Sequence, residues 1–254
     1  MAAVIAWWAR RSGHLTGGGA VAALVVGTCA VAAGWFWAAA LVAFFTSSVA
    51  WTRAGAARKL ARTEGMTGSA GTRGAVQVLA NGGVFALATL ALAFSGDPSS
   101  AVIPAIALGA LSAATADTWA TEIGLMAPGL PRSILTGRRV DAGASGGITA
   151  AGTAAGCGGA ALISGTTVVG GHGVLLASAA LAGGVVGMLV DSVLGASLQA
   201  RRWCDTCGAA TERVTHTCGA ATRRVGGVSW LNNDGVNAVA TVVGAATSFA
   251  VVSV

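Results

Sequence analysis

Seven apolar stretches divide the chain, at about 16–33, 35–51, 74–94, 101–123, 146–165, 172–199 and 235–253. Each approaches the roughly 20 residues that a helix needs to cross hydrocarbon. They predict an all-α fold, a polytopic membrane helical bundle of about seven spans forming a single transmembrane domain over residues 1–254. The first two stretches are joined only by Gly34, Trp35, Phe36 and Trp37. That junction predicts either a tight hairpin with aromatic residues at the membrane interface or one bent, re-entrant element. Arg10 and Arg11 follow the first apolar residues instead of preceding them, so no secretory signal is expected and the N-terminus is expected inside.

Composition removes the soluble alternatives. The 254 residues are 54% hydrophobic and 9% charged, with 39 glycines, where an average soluble domain carries about 25% charged residues. Mean hydropathy is +0.73. The glycines follow no collagen period, and in apolar runs small residues let membrane helices approach closely.

The basic residues set the topology. Arg10 and Arg11 precede the first span, Arg53, Arg58, Lys59, Arg62 and Arg73 fall between the second and third, and Arg132, Arg138 and Arg139 between the fourth and fifth. Arg201, Arg202, Arg213, Arg223 and Arg224 lie between the sixth and seventh. With alternating spans all of these share one side, while the other keeps Asp97, His172 and short turns. The positive-inside rule makes the basic side cytoplasmic, in a membrane of the bacterial inner (plasma) type. Binding to anionic headgroups or topology alone explains most of these arginines.

Ionisable groups within spans carry the functional signal, because a carboxylate at a helix centre costs about 2.5–3.5 kcal/mol even on a lenient scale. Asp117 lies in the fourth span and Asp191 in the sixth, each about seven residues from the basic end. Asp234, beside Asn232, Asn233 and Asn237, opens the seventh span, and Asn81 lies two turns into the third. At 1.5 Å per residue these groups share one layer. Asp117 and Thr121, like Thr118 and Glu122, are four residues apart and so share a polar helix face. Carboxylates gathered from several helices suit Mg²⁺, which takes a few protein oxygens and leaves the rest to water and phosphate. Packing through hydrogen bonds to neighbouring helices is the competing explanation.

A repeat accompanies this layer. Residues 46–49, 116–119 and 190–193 (TSSV, ADTW, VDSV) occupy equivalent inner halves of the second, fourth and sixth spans, with Ser47 where the later copies have Asp. Thr16 and Gly17 before the first span match Ser145, Gly146 and Gly147 before the fifth. The unit reads as a helical hairpin repeated in parallel orientation. The glycine-rich starts have a phosphate reading, through free N–H groups at a helix start and the guanidinium groups of Arg138 and Arg139. Glycine for close packing is the alternative.

The cysteines divide into two groups. Cys29 and Cys157 lie in apolar spans and read as small hydrophobes. Cys204, Cys207, His216 and Cys218 fall in the last basic-side loop, residues 200–230, with C-x2-C-x8-H-x-C spacing. In a reducing compartment they form either a structural Zn²⁺ site or a reduced, unligated pair. His14 and His172 read as polar flanks.

The runs HLTGGGA (14–20), FFTSS (44–48), QVLANGG (77–83), ATADTWATEIG (114–124), SGG (145–147), DSVLGASLQ (191–199) and WLNNDGVN (230–237) cover nearly the whole chain. They resemble the integral-membrane family called domain of unknown function 92, which includes transmembrane protein 19 and the plant phytyl-phosphate kinase of tocopherol synthesis. That family is distantly similar to phytol and dolichol kinases. The resemblance implies phosphoryl transfer from a nucleoside triphosphate, CTP by analogy, to a phytyl- or geranylgeranyl-type monophosphate. It implies Mg²⁺ at Asp117, Glu122 and Asp191, with Asp234 and Asn81 completing the layer and Arg138, Arg139, Ser145, Gly146, Gly147, Thr16 and Gly17 at phosphates. The expected partners are the bilayer, the isoprenoid phosphate and the nucleotide, with no nucleic-acid polymer. An ion-coupled transporter and a non-catalytic membrane scaffold are the rival readings. Prenyl length, pathway and oligomeric state stay open.

Overall fold

The computed structural model describes residues 2–63, 66, 72–96 and 100–254; Asp97 lies outside them. Helices α2 (Gly17–Ala33), α3 (Trp35–Arg53), α5 (Ala75–Ala93), α6 (Val102–Gly124), α7 (Ala150–Val169), α8 (Gly173–Ser197) and α9 (Asn233–Val252) match the seven expected spans. Two short helices, α1 (Ala2–Arg11) and α4 (Ala56–Arg62), were not expected from hydropathy. The strands β1 (Arg132–Ser133), β2 (Gly147–Ile148), β3 (Arg201–Cys204), β4 (Ala209–Thr211) and β5 (Arg223–Gly226) form two small antiparallel sheets. The chain is thus an all-α membrane bundle with minor sheet structure in its loops. Among the described residues five helices, α3, α5, α6, α8 and α9, are long and apolar enough to cross a membrane. α2 is shorter, with 17 residues, and α7 dilutes its apolar residues with Gly, Ser and Thr.

α6 is the hub. From Pro104 to Ala116 only Ile106 escapes full burial, because α5, α7, α8 and α9 all pack around it. Glycine makes this possible at the α6–α8–α9 junction. A Cβ on Gly109 would lie 2.2 Å from Ser248 Oγ and 2.4 Å from the Gly244 carbonyl, and one on Gly183 would lie 2.3 and 2.5 Å from the same atoms. Ser248 Oγ donates to the Ala179 carbonyl at 2.7 Å and pins α9 to α8. Cys29 lies at the edge of the main apolar core, whereas Cys157 is exposed on α7.

The first two spans form a hairpin and not a single bent element. Gly34 breaks the helix with φ 125°, and His14, just before α2, lines the same cavity as Arg53 at the end of α3. Phe36 and Trp37 pack around His172, with ring centroids 4.1 and 5.7 Å away. His172 is therefore part of an aromatic cluster at the far end, not a bare polar flank. α1 runs back along α2 so that a Cβ on Gly27 would meet Ala2 Cβ at 2.9 Å. Arg10 reaches Gly17 at the basic end, while Ala2 packs about 15 Å along α2 at 1.5 Å per residue.

Two expected helix starts shift by more than one residue, and α7 also ends later than expected, at Val169. α7 starts at Ala150, not 146, because Thr149 caps it by accepting from Gly152 N–H at 3.0 Å. Ser145, Gly146 and Gly147 therefore form a turn and the start of β2, paired with Ser133. Gly146 has φ +73° and packs where a Cβ would fall 2.4 Å from Ala196 Cβ. α9 begins at Asn233, capped by Asn232, whose side chain accepts from Gly235 N–H.

Candidate functional site

A cavity of about 530 Å³ opens at the basic end of the bundle. Residues from the α1–α2 turn and from α3, α4, α5, α6, α8 and α9 build its walls. The α1–α2 turn brings His14, α3 brings Thr52 and Arg53, and Arg73 and Asn81 come with α5. Asp117, Thr118, Thr121 and Glu122 come from α6, Asp191 from α8, and Asn233 and Asn237 from α9. A second recess of about 160 Å³ shares Asp117, Thr121, Asp191 and Asn233 with it, and adds the 142–149 turn and Glu212.

The Asp117 and Asp191 carboxyl groups interact directly across the α6–α8 contact. Asp191 Oδ2 is buried without a hydrogen-bond partner among the described residues. Glu212 approaches Asp191 from the loop after β4. Ser145 Oγ donates to Glu212 Oε1, and Glu212 N–H donates to the Met66 carbonyl at 2.8 Å. Burial pushes the Glu212 carboxyl above its usual range, and the Ser145 bond opposes that shift. Three carboxyl groups from three distant segments thus share one recess, and the cation that also lines it, Arg62, donates to the Ala127 and Gly129 carbonyls instead of to a carboxylate. An orphaned carboxylate oxygen in an all-oxygen donor set fits a hard divalent cation such as Mg²⁺.

The opposite wall is neutralised. Lys59 Nζ donates to Glu122 Oε2 at 2.6 Å and to the Trp51 and Thr52 carbonyls at 2.6 and 2.9 Å, which uses all three ammonium protons. Thr52 Oγ1 donates to Glu122 Oε1 at 2.7 Å. Both oxygens of Glu122 are therefore engaged, and the pair ties α4 and the end of α3 to α6. Beside it, burial draws the Arg73 guanidinium below its usual value while Glu122 opposes the shift. Neither Arg53 nor Arg73 makes a side-chain hydrogen bond among the described residues, so both remain open to an anion. Arg73 is held through its backbone: its N–H donates to the His14 carbonyl at 2.9 Å and its carbonyl accepts from Thr16 N–H at 3.1 Å.

Of the residues singled out from sequence, Asp117, Asp191, Glu122 and Asn81 line the larger cavity, and Ser145, Gly146 and Gly147 line the recess. Thr16 caps α2 through Gly19 N–H at 3.0 Å, and Gly17 faces Arg10. Asp234 lines neither cavity; Asn233 and Asn237 present that face of α9 instead. Arg138 and Arg139 are exposed and line neither. Ser47, at the position of the missing acid, accepts from Trp119 Nε1 at 3.2 Å and serves packing. Sequence reasoning missed Glu212 and treated Arg53 and Arg73 only as topology markers.

A third cavity, of about 90 Å³, is apolar and lies among α1, α2, α3 and α5. Arg73, Gln77 and Asn81 line both it and the large polar cavity, so the two meet along the first turns of α5.

Apart from these cavities, Cys204, Cys207, His216 and Cys218 bring their donor atoms within 4.8 Å of one another. The Ala220 backbone and the His216 ring draw the Cys218 thiol downwards.

No solved structure matches this chain. Protein PGR of Arabidopsis thaliana is 27% identical over 253 residues, covering 91% of this chain and 85% of its own. The model of the family described as integral membrane protein DUF92 matches residues 1–245. The chain therefore belongs to that integral membrane family.

Proposed function

We propose that this protein is a membrane-embedded phosphotransferase that converts an isoprenoid monophosphate to its diphosphate, using a nucleoside triphosphate at the basic end of the bundle. The observation that carries the reading is the shared wall of Arg73, Gln77 and Asn81 between a polar cavity and an apolar one. An amphiphile with an anionic head and a hydrocarbon tail fits such a junction. Its head lies beside Arg53 and Arg73, and its tail runs between α1, α2, α3 and α5 towards lipid. The positive-inside rule puts that head on the cytoplasmic side, where nucleotide is available.

Asp117 and Asp191, with Glu212 behind them, are the residues that would hold Mg²⁺, which when bound offsets charge on the nucleotide phosphates. An oxygen of the acceptor phosphate attacks the terminal phosphorus. The bond to the bridging oxygen breaks, its electron pair leaves with the nucleoside diphosphate, and a new P–O–P linkage forms. The acceptor oxygen already carries negative charge, so no general base is needed and this chain's contribution is positioning and charge compensation. Arg53 and Arg73 neutralise the acceptor. Glu122 keeps Lys59 occupied and fixes the wall. CTP as donor and a phytyl-type chain come from the family resemblance.

The test is a lipid-phosphate kinase assay on detergent-purified protein, with phytyl or geranylgeranyl monophosphate, Mg²⁺ and each nucleoside triphosphate. Diphosphate formed by wild type and absent from Asp117→Asn and Asp191→Asn supports the reading. Folded protein that yields no product across chain lengths and nucleotides overturns it and favours ion-coupled transport by the same acids.

A further inference from the structure

The loop between α8 and α9 has a fold without a core. Its three-stranded sheet, ordered β4-β3-β5, uses strands of three or four residues. Between Arg201 and Gly226 the buried side chains are Cys204, Thr211, His216 and Thr222, and none is a large apolar residue. A module this small needs a staple in place of hydrophobic burial. Thr222 supplies part of one, accepting from Arg202 Nε at 2.7 Å and donating to the Arg213 carbonyl at 2.6 Å. These bonds tie the sheet to the returning chain; the turn before β5 is closed on itself by the His216 N–H bond to the Ala220 carbonyl at 2.9 Å, and the turn after β3 meets β5 through the exposed Asp205–Arg223 pair, a weak link on its own.

Those two turns carry the cysteines and histidine. Each ends in a glycine with a left-handed backbone, Gly208 (φ +60°) after Cys207 and Gly219 (φ +85°) after Cys218. The pairs Cys204/Cys207 and His216/Cys218 therefore sit in like turns that face each other. Cys204 Sγ and Cys218 Sγ are 3.7 Å apart, and His216 Nδ1 lies 3.2 Å from Cys218 Sγ. A disulfide brings sulfurs to about 2.05 Å. Two thiolates on one tetrahedral zinc, each about 2.3 Å from the metal, are separated by about 3.8 Å. The observed spacing matches the second geometry. The set of three sulfurs and one imidazole nitrogen is the donor chemistry of a closed structural zinc site.

Glu212 lies between the two pairs, one residue beyond β4. We propose that Cys204, Cys207, His216 and Cys218 bind one Zn²⁺ ion, and that this ion holds the loop so that Glu212 reaches Ser145 and the Asp117–Asp191 pair. Zinc here is a remote positioning device: it touches neither cavity, and its effect on the acidic recess passes through the chain from Cys207 to His216. The role given to Glu212 rests on the divalent-cation reading of the recess; the zinc site does not.

The test begins with protein purified in detergent under reducing conditions without added metal. Elemental analysis is expected to find about one zinc per chain, as four protein ligands fill a tetrahedral site. A mercurial reagent should release it to a chromophoric chelator, and Cys204→Ser and Cys218→Ser should lack it while keeping wild-type helical circular dichroism. Cobalt in its place should show the thiolate charge-transfer and ligand-field absorption of a tetrahedral site. Zinc-free protein in which Cys204, Cys207 and Cys218 are all alkylated as free thiols, or form a disulfide, by peptide mass spectrometry overturns the metal site. The positioning role is read from Mn²⁺ binding by paramagnetic resonance, without turnover. Glu212→Gln and zinc removal should each weaken Mn²⁺ by about tenfold, the scale of a supporting-shell loss, and together should weaken it no further. Mn²⁺ binding unchanged by zinc removal overturns the positioning role and leaves the zinc site standing. Zinc found in a protein without kinase activity would sink the kinase reading alone.

Discussion

Two walls of one cavity handle charge in opposite ways. On the α3–α4–α6 side, Lys59 and Glu122 meet at 2.6 Å, and Lys59 completes its hydrogen bonding on the Trp51 and Thr52 carbonyls. On the α6–α8 side, Asp117 and Asp191 face each other with like charge, Glu212 adds a third acid, and Asp191 Oδ2 has no partner among the described residues. The same helix, α6, supplies one acid to each wall, five residues apart. Depth in the bundle therefore does not distinguish a structural carboxylate from a candidate ligand. The distinction comes from whether the neighbouring helices bring a cation and carbonyl oxygens or more carboxylates.

The largest expected effect is on activity, at the uncompensated wall. Asp117→Asn or Asp191→Asn should lower turnover about a thousandfold, equivalent to about 4 kcal/mol of transition-state stabilisation. Thermal stability in metal-free detergent should hold or rise, since each change removes one of two like charges that face each other. If either variant unfolds instead, the pair is structural and the contrast between the walls fails.

The compensated wall should respond the other way. Lys59→Met leaves the part-buried Glu122 without its ammonium partner and should cost about 2 kcal/mol in stability, below the ~3–5 kcal/mol for breaking one side of a fully buried pair. Lys59→Met combined with Glu122→Leu should recover most of that loss in unfolding measurements. A double variant no better than the single one would place Glu122 with the other acids as a ligand.

Between these walls, α8 is held by its contact with α9. Gly183→Val would drive a side chain into Ser248 Oγ and the Gly244 carbonyl, at an expected cost of about 2 kcal/mol from overpacking. Unfolding midpoints for Gly183→Val and for Gly165→Val, where a Cβ meets open space, give the comparison. Equal midpoints would mean that close packing of α8 on α9 does not fix the position of Asp191.

Much of this arrangement was legible in the chain because hydrocarbon leaves few choices. Seven apolar runs gave seven helices, and Asp117 and Asp191 stood out because charges within spans are so rare. The boundary before α7 was misplaced because Gly146, Gly147 and Ile148 read as apolar, whereas the Thr149 cap and the pairing of Gly147 with Ser133 decide where the helix begins. Glu212 was not legible. It is a polar residue in a polar loop, and it meets Asp191 only because the chain folds back after β4. Arg73 was hidden differently: its charge fits the topology rule, and only its backbone bonds to His14 and Thr16 place it in a cavity wall. Glycine pairs such as Gly109 and Gly183 could be expected to pack helices, but the atoms they meet could not.

The smallest effect concerns the mouth of the cavity, where His14 faces Arg53 and Arg73. Burial first, then those two guanidinium groups, lower its pKa below the ordinary 6.5. A depressed histidine takes up fewer protons in the folded state than in the unfolded one. Stability is therefore retained above about 6.5 and lost as pH falls from there towards the lowered value. Wild type should show that decline in chemical unfolding followed by tryptophan fluorescence, and His14→Gln should show a shallower one. Inorganic pyrophosphate should also flatten the wild-type curve if an anion binds between Arg53 and Arg73, because it offsets the charge that disfavours the imidazolium. Identical slopes in wild type and His14→Gln would show that His14 does not sense the two arginines. A slope that differs between them but ignores pyrophosphate would remove the anion from this wall and leave Arg53 and Arg73 as topology determinants alone.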